Sequence, residues 1–274
     1  MFFPLLALAL AAAPTAPVEI PGEVGNGDLF VARPAAGAVA PDEIIFLDQT
    51  YRLIGPPGGR DAFFLVAVDL DTEPGSYDML VRFPDGKERR VPLAVVPREY
   101  AEEHLTLDKA MVTPPEEVLE RIAAERKAAA AVYRTSREKP LWAPPFRRPV
   151  EGSPSGNFGR RRILNGLPRS PHSGEDYSAP RGAGVRAVAS GRVRMARDLY
   201  YSGKTLLIDH GAGLVSQYFH LDEMKVREGE AVEKGDVVGA VGSTGRVTGP
   251  HLHFGIRLHG QRVNPSLLWE IFAP

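Results

Sequence analysis

Residues 232–256 read VEKGDVVGAVGSTGRVTGPHLHFGI, and this stretch decides the fold of the C-terminal half. Two short strand-like runs, 237–241 and 251–258, are separated by a glycine-rich segment that ends in Pro250. Short strands divided by such turn residues are typical of an antiparallel sheet. Four upstream runs have the same character: 185–189, 192–196, 205–209 and 214–219. The pattern predicts a C-terminal antiparallel β-sheet domain over residues 146–274, with one helical turn near Pro265.

The same stretch contains two histidines, His251 and His253, which are separated by one residue. Side chains at i and i+2 of a strand project to the same face, so the two imidazoles point together while Leu252 and Phe254 face the core. Burying two imidazoles is costly unless they bind something. Neutral imidazole is a preferred ligand of zinc, so the pair indicates a metal site.

Further ligands are available in the upstream motif HSGEDY, which contains His172 and Asp176. Both can reach the same metal if Gly174 lets the chain turn between them. A catalytic zinc site has three protein ligands and one position open to water. The chain has no cysteine, so its metal ligands have to be His, Asp or Glu.

The composition and net charge limit the classes of partner that the sequence indicates. The formal net charge is -1, which does not indicate nucleic acid or an anionic membrane as a partner. One region is strongly basic, and it is either a solvated loop or a contact to an anionic polymer. Its arginines are Arg147, Arg148, Arg160, Arg161, Arg162 and Arg169.

The first 13 residues, MFFPLLALALAAA, form an apolar run followed by small residues. This run is shorter than the ~20 residues that span a bilayer, and it is typical of a secretory signal peptide. We predict a signal peptide over residues 1–16 and an exported protein without a stable membrane span after cleavage. The alternative is a buried apolar strand.

Residues 17–97 read as a small β-sandwich of the immunoglobulin-like kind. The run 61–70 has the length and apolarity of a strand buried on both faces, and 77–83 and 91–95 alternate on either side of the turn Pro84–Lys87. No catalytic cluster occurs here, so a binding or spacer module is expected.

Residues 98–145 are predicted to form a helical and proline-rich linker. Thr113 is a candidate N-cap, Pro114 fits the first helical position and Glu116 would complete a capping box. Helical spacing continues to Arg134, and a proline-rich stretch follows from Lys139.

Taken together, the motifs resemble the lysostaphin/LytM-type peptidoglycan zinc metallopeptidases. The resemblance covers about half of the chain, from residue 146 to the C-terminus. It rests on Phe158-Gly159 and the arginines that follow, HSGEDYSAPRGAGVRAVASGRV (172–193), IDHGAGLVSQYFHL (208–221) and the stretch 232–256.

The resemblance implies a division of roles among the histidines. It assigns one Zn²⁺ to His172, Asp176 and His253, and it assigns catalysis to His220 and His251. Which of these two takes the proton of the attacking water, and which stabilises the oxyanion, stays open. His210 is expected to be structural, and His104 and His259 to lie on the surface.

The implied function is an exported zinc metalloendopeptidase that hydrolyses peptide cross-links of peptidoglycan with a metal-activated water. We expect a monomer in the periplasm or cell envelope, with peptidoglycan peptides and no nucleic acid as partners. One alternative is a non-enzymatic or latent activator of cell-wall hydrolases, in which LPRSPHS (167–173) covers the metal and Asn165 occludes it. Another is a lipoyl- or biotin-carrier-like module modified at Lys225.

Overall fold

The computed structural model describes residues 16–56, 59, 61–134 and 139–273. The predicted signal peptide lies outside these residues, apart from residue 16. The described chain is mainly β, as predicted. None of its helices in the described ranges is both long and apolar enough to cross a membrane.

The N-terminal part contains two sheets. One has the strand order β1-β3-β6 and the other β2-β8-β7-β4-β5. The strands are β1 (Val18–Glu19), β2 (Glu23–Gly25), β3 (Leu29–Pro34), β4 (Glu43–Phe46), β5 (Gln49–Arg52), β6 (Phe64–Ala67), β7 (Gly75–Arg82) and β8 (Glu88–Val96). Buried side chains from both sheets belong to one hydrophobic core. All four residues of β6 are buried, which confirms the prediction of a strand covered on both faces.

The β7–β8 hairpin follows the predicted alternation. Met79, Val81, Val91 and Leu93 are buried, and the residues between them on β8 are exposed. The predicted turn connects the strands, and Gly86 adopts a φ of 80° there, a left-handed conformation that favours glycine.

The predicted linker contains a strand in addition to its helices. It contains β9 (Glu102–Leu105), α1 (Lys109–Val112), a 3₁₀ turn (Glu116–Val118) and α2 (Leu119–Arg134). β9 pairs in parallel with β10 (Arg161–Leu164), which pairs with β11 (Leu167–Arg169) in a three-stranded sheet. Part of the predicted linker therefore belongs to the C-terminal architecture.

The long helix forms where the spacing predicts it, but the predicted cap is wrong. Thr113 closes α1, with its backbone N–H bonded to the Lys109 carbonyl. The 3₁₀ turn starts after Pro115, which makes no side-chain capping bond. Buried Val132 of α2 packs against a small apolar cluster of Met195, Leu207 and Val215.

The C-terminal part is a nine-stranded antiparallel sheet with the central order β12-β19-β16-β15-β14-β17. β13 and β18 pair with each other, β18 also pairs with β16, and β20 pairs with β19. The strands are β12 (Glu175–Tyr177), β13 (Gly184–Arg186), β14 (Gly191–Leu199), β15 (Gly203–Gly211), β16 (Leu214–Met224), β17 (Ala231–Val232), β18 (Val237–Val241), β19 (Leu252–Leu258) and β20 (Gln261–Val263). The chain ends in α3 (Ser266–Ile271), where one helical turn is predicted.

An ion pair joins the N-terminal part to β20. The Arg262 backbone N–H and Nε donate to Asp69 Oδ2 at 2.7 and 3.2 Å, and its guanidinium also contacts Asp71. The Leu70 N–H donates to the Arg262 carbonyl at 3.2 Å. The two parts are thus connected by main-chain as well as side-chain bonds.

Candidate metal centre

β12 and β19 bring two of the predicted ligands together. The strands are antiparallel, and their register places Asp176 opposite His253, 77 residues away in sequence. His172 lies in the segment that enters β12. The pairing of β12 with β19 therefore brings together two motifs that are far apart in the sequence.

Gly174 is required at this point, though for a different reason from the predicted turn. Its φ is not in the left-handed region, but a Cβ atom there would lie 2.5 Å from the Phe254 carbonyl oxygen and 2.6 Å from His253 Nε2. The absent side chain lets the HSGEDY segment pass directly against β19.

Three ligand atoms converge. His172 Nε2 lies 2.7 Å from His253 Nδ1 and 3.1 Å from Asp176 Oδ1, and His253 Nδ1 lies 3.0 Å from the same oxygen. Within the described ranges, these three residues are the one group of His, Asp or Glu side chains placed to hold a metal ion.

The protonation states of His172, Asp176 and His253 suit the binding of a cation. His172 Nδ1 donates to the Asn157 carbonyl at 3.0 Å, so its Nε2 presents a lone pair to Asp176 and His253. Burial raises the pKa of Asp176, but the adjacent His172 and His253 rings, 3.1 and 3.0 Å from its Oδ1, outweigh burial and hold the pKa well below its ordinary value. Lone pairs and a buried carboxylate therefore meet at one point, and imidazole with carboxylate is a donor set that Zn²⁺ accepts.

His253 is oriented differently from the other site histidines. Its Nδ1 faces the cluster, while its buried Nε2 has no hydrogen-bond partner among the described residues. Its ring stacks on Phe219, with centroids 5.0 Å apart and planes 6° apart. Burial lowers the pKa of His253 to about 4, so the ring is neutral near pH 7, the form that binds metal.

Asn157 holds two members of the cluster, although it is not among the predicted site residues. Its Nδ2 donates to Asp176 Oδ2 at 2.7 Å, its Oδ1 accepts from the Asp176 N–H at 3.0 Å, and its carbonyl fixes the His172 ring. Its position immediately before Phe158-Gly159 was the available signal. An amide that contacts a ligand carboxylate orients that ligand.

His220 and His251 stand beside the cluster, with their ring centroids 5.1 Å apart. Each donates from Nδ1 to a backbone carbonyl: His220 to Thr244 at 2.8 Å and His251 to Gly249 at 2.9 Å. Each therefore carries its lone pair on Nε2. His251 Nε2 lies 3.7 Å from Asp176 Oδ1, and the His220 ring lies 6.1 Å from that of His253. All five predicted site residues thus come together.

A β-bulge presents His220. Between the pairs Lys204–Leu221 and Leu206–Tyr218, β16 contains one residue more than β15, and His220 in this interval has a φ of 63°. Bulges re-aim side chains near functional sites. Burial, together with the nearby His253 and His251, lowers the pKa of His220 to about 3, so it too is neutral near pH 7.

Asn165 does not lie in the cluster. In the turn between β10 and β11, its Oδ1 accepts from the Leu107 N–H at 2.9 Å and its Nδ2 donates to the Leu107 carbonyl at 3.0 Å. The segment LPRSPHS forms β11 and the approach to His172. The hypothesis that Asn165 occludes the metal is therefore wrong for this conformation.

A different segment covers the site. We call residues 105–112 the strap. Leu105 and Leu107 line a cavity of about 90 Å³ together with Asp176, His220 and His251. Clefts that bind ligands usually measure about 300–1,000 Å³, so the strap leaves little room for a peptide.

Hydrogen bonds tie the strap to both walls of the cleft. On one side it is bonded by Asn165, and Arg169 Nη2 donates to the Val112 carbonyl at 2.9 Å. On the other side, the Tyr200 hydroxyl donates to the Ala110 carbonyl at 2.9 Å, and Arg246 Nη1 lies 3.5 Å from the Met111 carbonyl.

The remaining histidines lie outside the cluster. His104 is exposed on β9, as predicted. His210 is fully buried, with Nδ1 bonded to the Ser190 carbonyl and Nε2 to the Ser216 hydroxyl, which agrees with a structural role. His259, predicted to lie on the surface, is half-buried, because its ring packs edge-on against Tyr51 of the N-terminal part, with 5.1 Å between the ring centroids.

Comparison with known proteins places the site in a family. Residues 170–265 match the family described as Peptidase family M23. Among curated proteins, the peptidoglycan DD-endopeptidase ShyA of Vibrio cholerae is 40% identical over 111 residues, which are 40% of this chain and 26% of that protein. The DD-carboxypeptidase/endopeptidase Mpg of Neisseria meningitidis is 46% identical over 94 residues, 34% of this chain and 22% of that protein. The chain therefore spans about a quarter of the length of these relatives.

A crystal structure extends the similarity beyond the matched domain. A candidate M23 peptidase from Pseudomonas aeruginosa aligns with 92% of this chain and 96% of its own, at a TM-score of 0.71 and 29% identity. The family match also includes Lys225, so the carrier-module alternative is not retained. Residues 170–265 therefore carry a domain that matches peptidase family M23.

Proposed function

We propose that this protein is a zinc metalloendopeptidase that hydrolyses peptide cross-links of peptidoglycan. One observation carries the proposal: two imidazoles and a carboxylate converge within 3.1 Å, beside two further histidines with available Nε2 lone pairs. Relatives named as peptidoglycan DD-endopeptidases support the substrate class. An exported protein in the periplasm or cell envelope agrees with that substrate and with the apolar N-terminus.

The proposed mechanism assigns His172, Asp176 and His253 as ligands of one Zn²⁺. When bound there, Zn²⁺ would act as a Lewis acid and lower the pKa of a coordinated water. Asn157 holds two of the ligands in position.

His220 and His251 would handle the protons. Both are held with Nε2 free by bonds from Nδ1 to backbone carbonyls, so each can accept a proton at Nε2 and donate it again. Because His251 Nε2 lies 3.7 Å from Asp176 Oδ1, we assign His251 as the base that takes the water proton and returns it to the leaving amine. His220 would stabilise the developing oxyanion by donating from Nε2, with a proton taken up from solvent when substrate binds, since its ring is neutral near pH 7 in the free protein.

Digestion of purified peptidoglycan tests the proposal. The full-length protein, with zinc and with a chelator, is incubated with wall fragments, and the products are identified by mass spectrometry. We expect new amino and carboxyl termini at cross-links, which disappear with the chelator and return with added zinc. Release of reducing sugars without new peptide termini would contradict an endopeptidase.

A second candidate is a latent form of the same enzyme, and the strap favours it. The strap narrows the cavity over the cluster to about 90 Å³ and is bonded to both walls. We propose that it has to move before a cross-link can enter.

Loosening the strap tests latency. The double variant Asn165→Ala and Tyr200→Phe removes bonds on both sides without touching the proposed ligands or proton carriers. Tyr77→Phe is the matched control, because it removes a tyrosine–carbonyl bond in the N-terminal part. We expect higher kcat/KM for the double variant at unchanged zinc content, and wild-type activity for Tyr77→Phe. Equal activity of all three proteins would overturn latency.

A further inference from the structure

We propose that a basic cleft beside the metal centre binds carboxylate groups of the peptidoglycan stem peptides, as an exosite separate from the cleavage site. This inference rests on the proposed function. The cleft has a volume of about 510 Å³ and is lined by Arg147, Arg148 and Arg186, with Glu151, Pro180 and Gly184 among its other residues. We call it the arginine cleft.

Its charge is unbalanced. Three guanidinium groups face one carboxylate, that of Glu151. No ion pair between described residues involves any of these four side chains, although several arginines elsewhere, such as Arg52, are paired. The cleft therefore presents an excess of positive charge that the protein itself does not neutralise.

Contacts within the protein nevertheless hold the three arginines of the cleft in position. Arg186 is half-buried and donates from Nη1 to the Gly235 carbonyl at 2.8 Å. The Arg148 guanidinium lies over the Trp269 ring, 5.4 Å from its centroid. Arg147 is exposed, but its main-chain N–H is bonded to the Val188 carbonyl at 2.9 Å. Each side chain keeps N–H donors for a ligand, because a guanidinium carries five.

The chain connects this cleft closely to the metal centre. Pro180 follows the proposed ligand Asp176 by four residues, so their Cα atoms are at most about 14 Å apart even if the chain is fully extended. On the opposite side, Gly152 precedes Asn157 by five residues, and Ser155 N–H donates to the Asp176 carbonyl at 2.9 Å.

This upper bound of about 14 Å agrees with a stem peptide as the ligand, because about four extended residues can span that distance. Stem peptides carry carboxylates, and arginine pairs with carboxylates through two parallel hydrogen bonds. A stem whose cross-link lies at the metal centre can therefore place a carboxylate among the arginines. The basic region of the sequence had two interpretations, a solvated loop or a contact to an anionic polymer. At Arg147 and Arg148, the proposal corresponds to the second.

The test compares the triple variant Arg147→Gln, Arg148→Gln and Arg186→Gln with a control triple, Arg33→Gln, Arg89→Gln and Arg126→Gln. The control removes the same charge from exposed arginines outside the cleft and outside the metal cluster. The probes are a synthetic stem peptide with free carboxylates, the same peptide with its carboxylates amidated, and inorganic polyphosphate. Binding is measured directly by calorimetry with the zinc-loaded full chain, and KM and kcat are measured on wall fragments.

We expect the cleft triple to bind the free-carboxylate peptide about tenfold more weakly while it stays folded at the assay temperature, and to raise KM with little change in kcat. Wild-type protein should bind the amidated peptide as weakly as the triple binds the free one, and the control should match wild type. Equal affinity of wild type and cleft triple for the free-carboxylate peptide would overturn the exosite. Arginine-dependent binding of polyphosphate without stem-peptide binding would overturn it too. Because binding is read without cleavage, failure of the exosite and failure of the peptidase activity are distinguishable.

Discussion

Asn157 donates from Nδ2 to Asp176 Oδ2 at 2.7 Å and, through its own carbonyl, accepts from His172 Nδ1 at 3.0 Å. One residue thus sets the orientation of a carboxylate and the tautomer of an imidazole. Its side-chain Oδ1 also accepts from the Asp176 backbone N–H, so the amide is held at both ends. The cluster is preorganised by a residue that does not belong to it.

Asn157→Ala should weaken zinc binding by about 10- to 100-fold, because Asp176 loses the bond that orients it. Zinc affinity is measured by competition with a chelating dye. Asn165→Ala is the matched control, since that amide is bonded only to the backbone of Leu107 in the contacts described above. Equal zinc affinity of the two variants would show that Asn157 does not orient the ligands.

Gly174→Ala should also weaken zinc binding, by about tenfold or more, since its Cβ would press on the Phe254 carbonyl and on His253. Gly249→Ala lies in the loop that contacts His251 and meets nothing within 4 Å, so it should bind zinc as wild type does. Both variants are compared by zinc titration and by thermal unfolding. Wild-type affinity in Gly174→Ala would contradict the close packing of the HSGEDY segment on β19.

Buried His210 should make the fold sensitive to acid. Burial lowers its pKa from 6.5 to about 4, so the unfolded chain takes up the proton first as the pH falls. Its contribution is complete above pH 6.5 and is lost between pH 6.5 and pH 4, to a total of about 3 kcal/mol.

The free energy of unfolding of wild type and His210→Asn, measured from pH 8 to pH 4, tests this. The variant should lose less stability over the acid range, although it starts lower because it disturbs the bonds to Ser190 and Ser216. His104→Asn changes an exposed histidine and should reproduce the wild-type slope. Parallel curves for wild type and His210→Asn would refute the assignment.

Arg262→Ala should destabilise the junction between the two parts of the chain by about 2–3 kcal/mol, because it leaves the largely buried Asp69 carboxylate without its main partner. Arg197→Ala removes an arginine from the solvent-exposed pair with Glu228 and should cost under about 1 kcal/mol. Urea denaturation measures both. Similar small losses would mean that the junction depends on the main-chain bonds instead.

Much of this architecture was predictable from local patterns. The alternation in 77–83 and 91–95 gave the β7–β8 hairpin, and i,i+2 spacing placed His251 and His253 on one side of the sheet, because both effects depend only on strand geometry. The spacing around Ile122 and Val132 likewise predicted α2.

What escaped prediction depends on tertiary contacts. β12 is three residues long and carries no periodic signal, so its pairing with β19 follows only from the folded sheet. Thr113 has the type of a cap, but the chain places it at the end of α1. The contact of the strap with the cleft joins Leu107 to Asn165, 58 residues apart, which no local pattern encodes.

The division of roles between His253 and His251 is tested by the zinc content of the purified variants His253→Ala and His251→Ala. Zinc is measured by elemental mass spectrometry, and cleavage of wall fragments is measured alongside. We expect His253→Ala to lose the metal and the activity. We expect His251→Ala to keep one zinc per chain and to lose activity by about 10²–10⁴-fold, since only proton transfer is removed. Loss of zinc from His251→Ala with zinc retained in His253→Ala would reverse the proposed roles of the two histidines.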